Sequence, residues 1–301
     1  MLRTITVGLD GSRESLAAAE WAAREAKLRG LPVRLVHVRE PVPEPMAQAP
    51  LLGAETHQHW TERVPREAAA GLRLRHPGVE VTTGQVAGRP SDVLVEAARD
   101  AELLALGARG MSGIGGFLVG SVGLAVVAHA GRPVVFVRAG EQAADEHDMD
   151  PTGIPSAAAP FLPVILGLDT ESPDETLIEF AFDTAVRRAT SLRVVHGWHP
   201  PPYYAYGLSI DPQLRGSLAR REAAALAEAL HPWRQKYPDV QVIEESRNES
   251  PAVAVVTASK AASLVVVGRR VRRTPVGIHI GSVTHAVLHH ATAPVAVVPH
   301  E

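Results

Sequence analysis

The sequence contains no cysteine. Disulfides, thiol catalysis and thiolate metal sites are therefore excluded, and a reducing compartment suits the chain. No apolar run approaches the roughly 18 residues that a membrane span needs. Met1 to Val7 leads straight into a strand pattern, without the charged leader and apolar core of a signal peptide. The expected location is the cytoplasm, with no membrane partner. A formal net charge of −3 lacks the basic excess that whole-chain attraction to nucleic acid requires, so nucleic acid is not an expected partner either. Catalytic patterns are also missing: there is no nucleophile elbow, no pair of catalytic carboxylates and no Ser/His/Asp arrangement. His285 and His289 are four apart with His290 beside them, and His57 and His59 lie close together, but neither group has an HExxH pattern or a convincing third ligand.

What is present describes an ordinary globular protein of about two domains, at a prior of roughly 150 residues each. Of the 301 residues, 46% are hydrophobic and 21% charged. The halves repeat one another. Val7-Gly8-Leu9-Asp10 recurs as Leu166-Gly167-Leu168-Asp169, and Arg34-Leu35-Val36-His37 recurs as Arg193-Val194-Val195-His196. Farther on, Gly120-Ser121-Val122 matches Gly281-Ser282-Val283, and Arg132-Pro133-Val134-Val135 pairs with Ala293-Pro294-Val295-Ala296. The chain is a tandem duplication.

Each copy alternates strand-like and helix-like segments. The pattern predicts strands near 3–9, 32–38, 79–85, 102–107 and 133–138, with helices near 13–29, 58–75, 90–100 and 120–130. In the second copy strands are expected near 163–168, 192–197, 239–245, 263–268 and 294–298. Continuous Val/Leu/Ile runs alternating with helices predict an α/β fold of two tandem Rossmann-like domains, each a five-stranded parallel sheet flanked by helices. The expected boundaries are 1–140 and 161–301. The acidic, proline-bearing stretch between them, without apolar periodicity, reads as a linker over 141–160. Two inserts, Pro41 to Leu52 and His199 to Pro212, follow the second strand of each copy on the ligand side and read as lids or plain solvated loops.

The stretch Gly107 to Ser121, GARGMSGIGGFLVGS, organises the functional reading. It follows the apolar run Glu102 to Leu106 and ends where a helix begins. A glycine-rich loop that ends on exposed helix N–H groups is an anion cradle, because few Cβ atoms intervene and the helix dipole favours negative charge. The spacing fits neither the Walker pattern nor the dinucleotide fingerprint. It resembles the G-2x-G-9x-G-[S/T] signature of the ATP-binding universal stress proteins, a family of adenine nucleotide alpha hydrolase-like fold. The resemblance covers roughly 3–138 and 163–298, strongly in the first copy and partially in the second.

The resemblance implies ATP as the cofactor, with Mg²⁺ accompanying the nucleotide. It places Asp10 on the nucleoside side or at a divalent ion, Val38 at the adenine edge and Gly88 near the pocket; read from the residues alone, Asp10 is equally a helix cap, Val38 a strand-end apolar residue and Gly88 a plain turn. Gly107 would lie against the ribose and Gly110 against the phosphates, with backbone N–H groups from Gly120, Ser121 and Val122. Arg109 is either a charge-assisted phosphate contact or a solvated side chain. In the second copy Asp169, Gly268, Gly281 and Ser282 persist. Val271 stands in place of Gly110, Glu249 of Gly88, Thr170 of Gly11 and Gly197 of Val38, which puts that cradle in doubt. Against this, Arg269-Arg270-Val271-Arg272-Arg273 offers guanidinium groups that either bind phosphate or form a charged surface.

Three functions remain open from the sequence. One is a nucleotide-dependent regulatory module in stress response, read by an unknown protein partner. Another is a slow ATP hydrolase or phosphotransferase, for which no base or water-positioning residue is evident. The third is an interaction tandem that has lost nucleotide binding in its second domain. The family also implies pairing of the last strands of the two copies as an internal pseudo-dimer, with a further homodimer left open.

Overall fold

The computed structural model describes residues 3–40, 54–110, 117–150, 152–154, 156–200, 212–271 and 280–301. The chain divides into two compact units, Met1–Ala143 and Ala144–Glu301. The first contains β1 (Thr4–Gly8), β2 (Val33–Arg39), β3 (Val81–Ala87), β4 (Ala101–Gly110), β5 (Phe117–Leu118) and β6 (Val134–Arg138). Its sheet runs in the order β3-β2-β1-β4-β6 with all neighbours parallel, and the short β5 pairs antiparallel with the end of β4. The second unit contains β7 (Val164–Gly167), β8 (Leu192–Gly197), β9 (Val242–Arg247), β10 (Leu264–Arg270) and β11 (Val295–His300), in the parallel order β11-β10-β7-β8-β9. The same topology is thus built twice. In each, the chain reverses direction across the sheet at one split, between β1 and β4 and between β7 and β10.

Helices cover both faces. In the first unit α1 (Arg13–Arg29) and α2 (Ala54–Arg75) pack on one face, and α3 (Pro90–Arg99) and α4 (Ser121–His129) on the other. In the second, α5 (Glu175–Arg188) and α6 (Pro212–Lys236) lie opposite α7 (Pro251–Ala258) and α8 (Ser282–His290). With both faces covered, consecutive strand residues are buried, as at Leu103 to Leu106 and Val134 to Val137. Helix α1 shows how the sequence specifies its packing. Ser12 caps its start, Gly30 ends it in the left-handed region at φ 63°, and an alanine-rich stripe faces the sheet. Small side chains there let the helix axis approach β4 closely.

Two strands begin later than the apolar pattern predicts. The third strand of each copy starts at Val81 and Val242, because the apolar residue before it is held in a turn. The Val79 N–H donates to the His76 carbonyl at 3.2 Å and the Val240 N–H to that of Tyr237 at 3.2 Å. Both valines are buried from these turns rather than from a strand. In the other direction, β4 continues to Gly110 and β10 to Arg270. Arg109, Gly110 and Arg270 therefore sit on strand ends, not in a loop starting at Gly107 and Gly268.

The stretch expected to be a linker packs on the second unit. A 3₁₀ turn at Ala143–Glu146 places the Glu146 carboxylate in the interior, where it accepts from Arg188 Nη1 at 2.9 Å. Arg188 Nη1 also lies 3.3 Å from the Ser263 carbonyl, and its guanidinium is 5.2 Å from the Phe161 ring centroid. His147 bridges to Phe161 and their rings lie 4.0 Å apart. A buried ion pair carries no apolar periodicity, which is why composition alone reads this segment as unstructured. Removing one partner of such a pair leaves a buried charge. Arg188→Met is expected to cost about 3–5 kcal/mol in urea unfolding, with much of the loss recovered in Glu146→Leu/Arg188→Met. A single variant as stable as the wild type would show that the strap is not anchored by this pair.

Candidate functional site

Ligands of open parallel α/β sheets bind beyond the carboxyl ends of the strands at the topological split. In the first unit that position brings together the ends of β1 and β4 and the start of α4. Asp10 follows β1, and its Oδ1 accepts from the Ser12 amide at 2.9 Å and from the Ser12 hydroxyl at 2.5 Å. Ser12 Oγ in turn accepts from the Ser15 amide at 3.2 Å and so caps α1. Partial burial pushes the Asp10 carboxyl up, but the hydrogen bonds from Ser12 and Ser15 outweigh it and hold it below the usual range. One carboxylate oxygen is thereby committed to the turn. Asp169 repeats the turn, accepting from the Glu171 amide at 3.1 Å.

At the end of β4, Gly107 is dictated by packing. A Cβ there would lie 2.4 Å from the Glu14 carbonyl carbon and 2.5 Å from the Ser15 nitrogen. Its glycine admits the main chain of α1, which is a different reason from the expected ribose contact. Gly120 is the opposite case. A Cβ would meet nothing within 4 Å, and φ is −69°, so neither crowding nor backbone conformation demands glycine. Gly120 is the N-cap of α4 and supplies no side-chain cap, while Ser121 and Val122 are exposed. The first-turn N–H groups of α4 thus have no partner within the helix. Val38 closes β2 in register with Val86 of β3. Gly88 adopts φ 154° at the exit of β3, where a Cβ would press on Val93 at 2.8 Å. The backbones of Arg109 and Gly110 pair with Leu118 and Phe117. Residues 111–116, 41–53, 201–211 and 272–279 lie outside the described residues, so both inserts and Arg272 and Arg273 are not placed.

The second unit holds a cavity of about 610 Å³ at the corresponding split. Gly167 and Gly268 form part of its floor, Asp169 and His196 stand at strand ends, and Gly281 to Thr284 present the start of α8. Here too the N-cap is a glycine without a side-chain cap, and a Cβ at Gly281 would meet open space. Thr284 ties the helix to the sheet by donating to the Gly268 carbonyl at 2.6 Å. Arg270 and His300 complete the wall. His196 escaped the sequence reading, although the repeat of His37 and His196 was the available signal. Each places Nδ1 against a carbonyl at the end of the neighbouring strand, Leu9 at 2.8 Å and Leu168 at 3.1 Å, so that nitrogen carries the proton. Among the described residues no cluster of three or more His, Asp or Glu is arranged to hold a metal ion, and no helix is long and apolar enough to cross a membrane.

A model of the universal stress protein family matches residues 1–138 and 160–299. The chain belongs to this family. It is 34% identical over 303 residues to a universal stress protein of Mycolicibacterium smegmatis, covering 98% of this chain and 96% of the relative. A universal stress protein of Mycobacterium tuberculosis is 34% identical over 301 residues, covering 97% and 96%. Among solved structures, a universal stress protein from Archaeoglobus fulgidus matches 99% of this chain and 98% of its own with a TM-score of 0.67 at 17% identity, a likeness of fold. A protein from Pseudomonas aeruginosa matches at 0.57 and 18% over 99% of this chain.

Within this tandem universal stress protein, the departures of the second copy are absorbed locally. Val271 does not line the cavity. Its N–H donates to the His300 carbonyl at 2.6 Å, extending the β10–β11 pairing, and its side chain is exposed. The obstruction expected from a β-branched residue here does not arise. Thr170 replaces Gly11, which sits at φ 83°, because the β7–α5 loop is longer: the N-cap is Asp174, five residues after Asp169, whereas Ser12 is two after Asp10. Gly197 is required where Val38 stands in the first copy, since a Cβ would lie 2.5 Å from Pro251 Cα. Glu249 needs no positive φ.

Two predictions follow from these glycines and from Asp10. Gly107→Ala is expected to lower stability by about 1–3 kcal/mol through overpacking, and Gly120→Ala by no more than about 1 kcal/mol. Equal losses in chemical denaturation would show that the two glycines share a packing role. For Asp10 the folded carboxyl lies below its unfolded value, so its contribution is present above about pH 4 and lost as pH falls through the folded value. Asp10→Asn should therefore lessen the acid sensitivity of stability, measured by thermal melts between neutral pH and pH 3.

Proposed function

We propose that this chain is an ATP-binding regulatory module of the cytoplasm, taking the nucleotide at the carboxyl ends of its parallel sheets. The second-unit cavity carries the reading. Its 610 Å³ volume is in the range of small-molecule sites, and it combines apolar walls with an uncapped helix start. Oriented N–H groups without an internal partner favour an anionic oxygen, and phosphate matches that demand. The first unit supports the same reading through Gly120, Ser121 and Val122 at the start of α4. The residues also fit an accompanying Mg²⁺, which takes one or two carboxylates together with substrate phosphates. Asp10 would hold it in the first unit and Asp169 in the second, and the ion would neutralise phosphate charge.

Binding alone regulates nothing. ATP shifts a conformational equilibrium only by its difference in affinity between the two states, and a protein partner must read the favoured one. The hydrolase alternative requires a base beside the γ-phosphate, and no described residue stands out for that role.

The test is purification without added nucleotide, denaturation and chromatography of the released small molecules, followed by ATP titration of the emptied protein. ATP is expected in the released fraction. At 100 times its dissociation constant it should stabilise the fold by about 2.7 kcal/mol for one site, read as a rise in Tm. ADP that accumulates with time would favour the hydrolase, and the absence of both bound nucleotide and any Tm shift would favour the interaction tandem.

A further inference from the structure

We propose that the second cavity reads the phosphate chain of its nucleotide with two side chains, Arg270 and His300, a pair that the first unit does not possess. This rests on the nucleotide reading above. The two residues are register partners across β10 and β11, so their side chains leave the same face of the sheet, and both line the cavity. The His300 side chain is only 12% exposed. Its Nδ1 has two acceptors nearby, Asp174 Oδ2 at 3.7 Å and the Glu301 carbonyl at 3.3 Å, and so keeps its proton. The other edge lies over Gly268, itself a lining residue of the cavity, with Nε2 2.5 Å from where a Cβ there would stand. An anion arriving there receives a hydrogen bond from Nε2 once that nitrogen is protonated.

The exposed Arg270 donates to the Ser172 hydroxyl at 2.7 Å, a neutral partner, and makes no ion pair among the described residues. The charged groups facing this corner are Asp174 at the cap of α5 and Asp169 at the end of β7. The Asp174 carboxylate is shared, since Oδ1 accepts from the Thr176 and Leu177 amides at 2.9 and 3.2 Å. Arg270 brings a permanent positive charge to this wall, and the α8 amides lie across the same cavity. In the first unit the position matching His300 is Ala139, and the space above Gly107 is filled by the α1 main chain. Phosphate recognition there falls to backbone amides and at most one arginine.

The test follows hydrogen exchange of the first turn of α8 in the full chain, titrated separately with ATP and with adenosine. In the wild type ATP should protect this turn at lower concentration than adenosine. His300→Ala and Arg270→Ala should each weaken the ATP response about tenfold, in line with loss of a charge-assisted hydrogen bond, while leaving the adenosine response in place. His300→Lys should restore most of the loss, which a purely structural role would not allow. Unchanged ATP affinity in His300→Ala, or equal losses for ATP and adenosine, would overturn the proposal while leaving nucleotide binding intact. Failure of both ligands to protect the wild-type turn would overturn the nucleotide reading itself.

Discussion

The amides that open α4 and α8 impose the condition on which the rest of each unit depends. A helix start leaves its first N–H groups without internal partners, and most helices answer with a Ser, Thr, Asp or Asn cap. Within this same chain α1 does so with Ser12 and α5 with Asp174. Gly120 and Gly281 do not, and neither position is glycine because of crowding or a positive φ. Among the described helix starts a glycine N-cap occurs twice, at matching places beside the split of each sheet. Exposed polar hydrogens at that location call for water or an anionic oxygen. The sheets hold the demand in position, since β4 and β10 deliver the chain to it and α3 or α7 packs alongside.

The two copies meet that condition with different materials. In the first, the main chain of α1 comes down directly on Gly107, so the wall beside the cradle is backbone. In the second, the longer β7–α5 loop starts α5 later, and the corresponding neighbours of Gly268 are the side chains of His300 and Leu177. This single change in loop length accounts for several substitutions that look unfavourable in isolation. Thr170 is relieved of the left-handed conformation that Gly11 adopts, and its hydroxyl approaches His196 Nε2 at 3.3 Å. Gly197 admits Pro251 at the start of α7.

Fold class, strand order of occurrence and the family were legible because they rest on periodicity and on the spacing of a few glycines. Buried parallel strands announce themselves as unbroken apolar runs, and the duplication doubles each signal. The reasons behind individual residues were less accessible. Gly107 and Gly120 belong to one motif and look alike in sequence, yet one accommodates a helix backbone and the other faces open space. That distinction depends on what approaches from elsewhere in the chain. Glu146 and Arg188 escaped for a similar reason, since an acidic stretch reads as solvated until its distant partner is known. His300 lies at the far end of the second copy, where the duplicated pattern offers Ala139 and therefore no hint of a cavity wall.

The contrast between a backbone wall and a side-chain wall bears on how readily each can rearrange. A wall formed by the start of α1 moves only if the helix moves, and α1 is held by its alanine stripe and by Arg29, whose Nη1 lies 4.0 Å from the Glu102 carboxylate of β4. A wall formed by His300 and Leu177 rearranges through rotamers alone, at far lower cost. Asp174 then connects that wall to the helix behind it, because one of its oxygens caps α5 while the other faces His300. An occupant that draws His300 toward itself alters the partner of the same carboxylate that fixes the helix start. In the first unit the corresponding helix start is capped by Ser12, which donates to Asp10 and accepts from the Ser15 amide, and no imidazole takes part in that turn among the described residues.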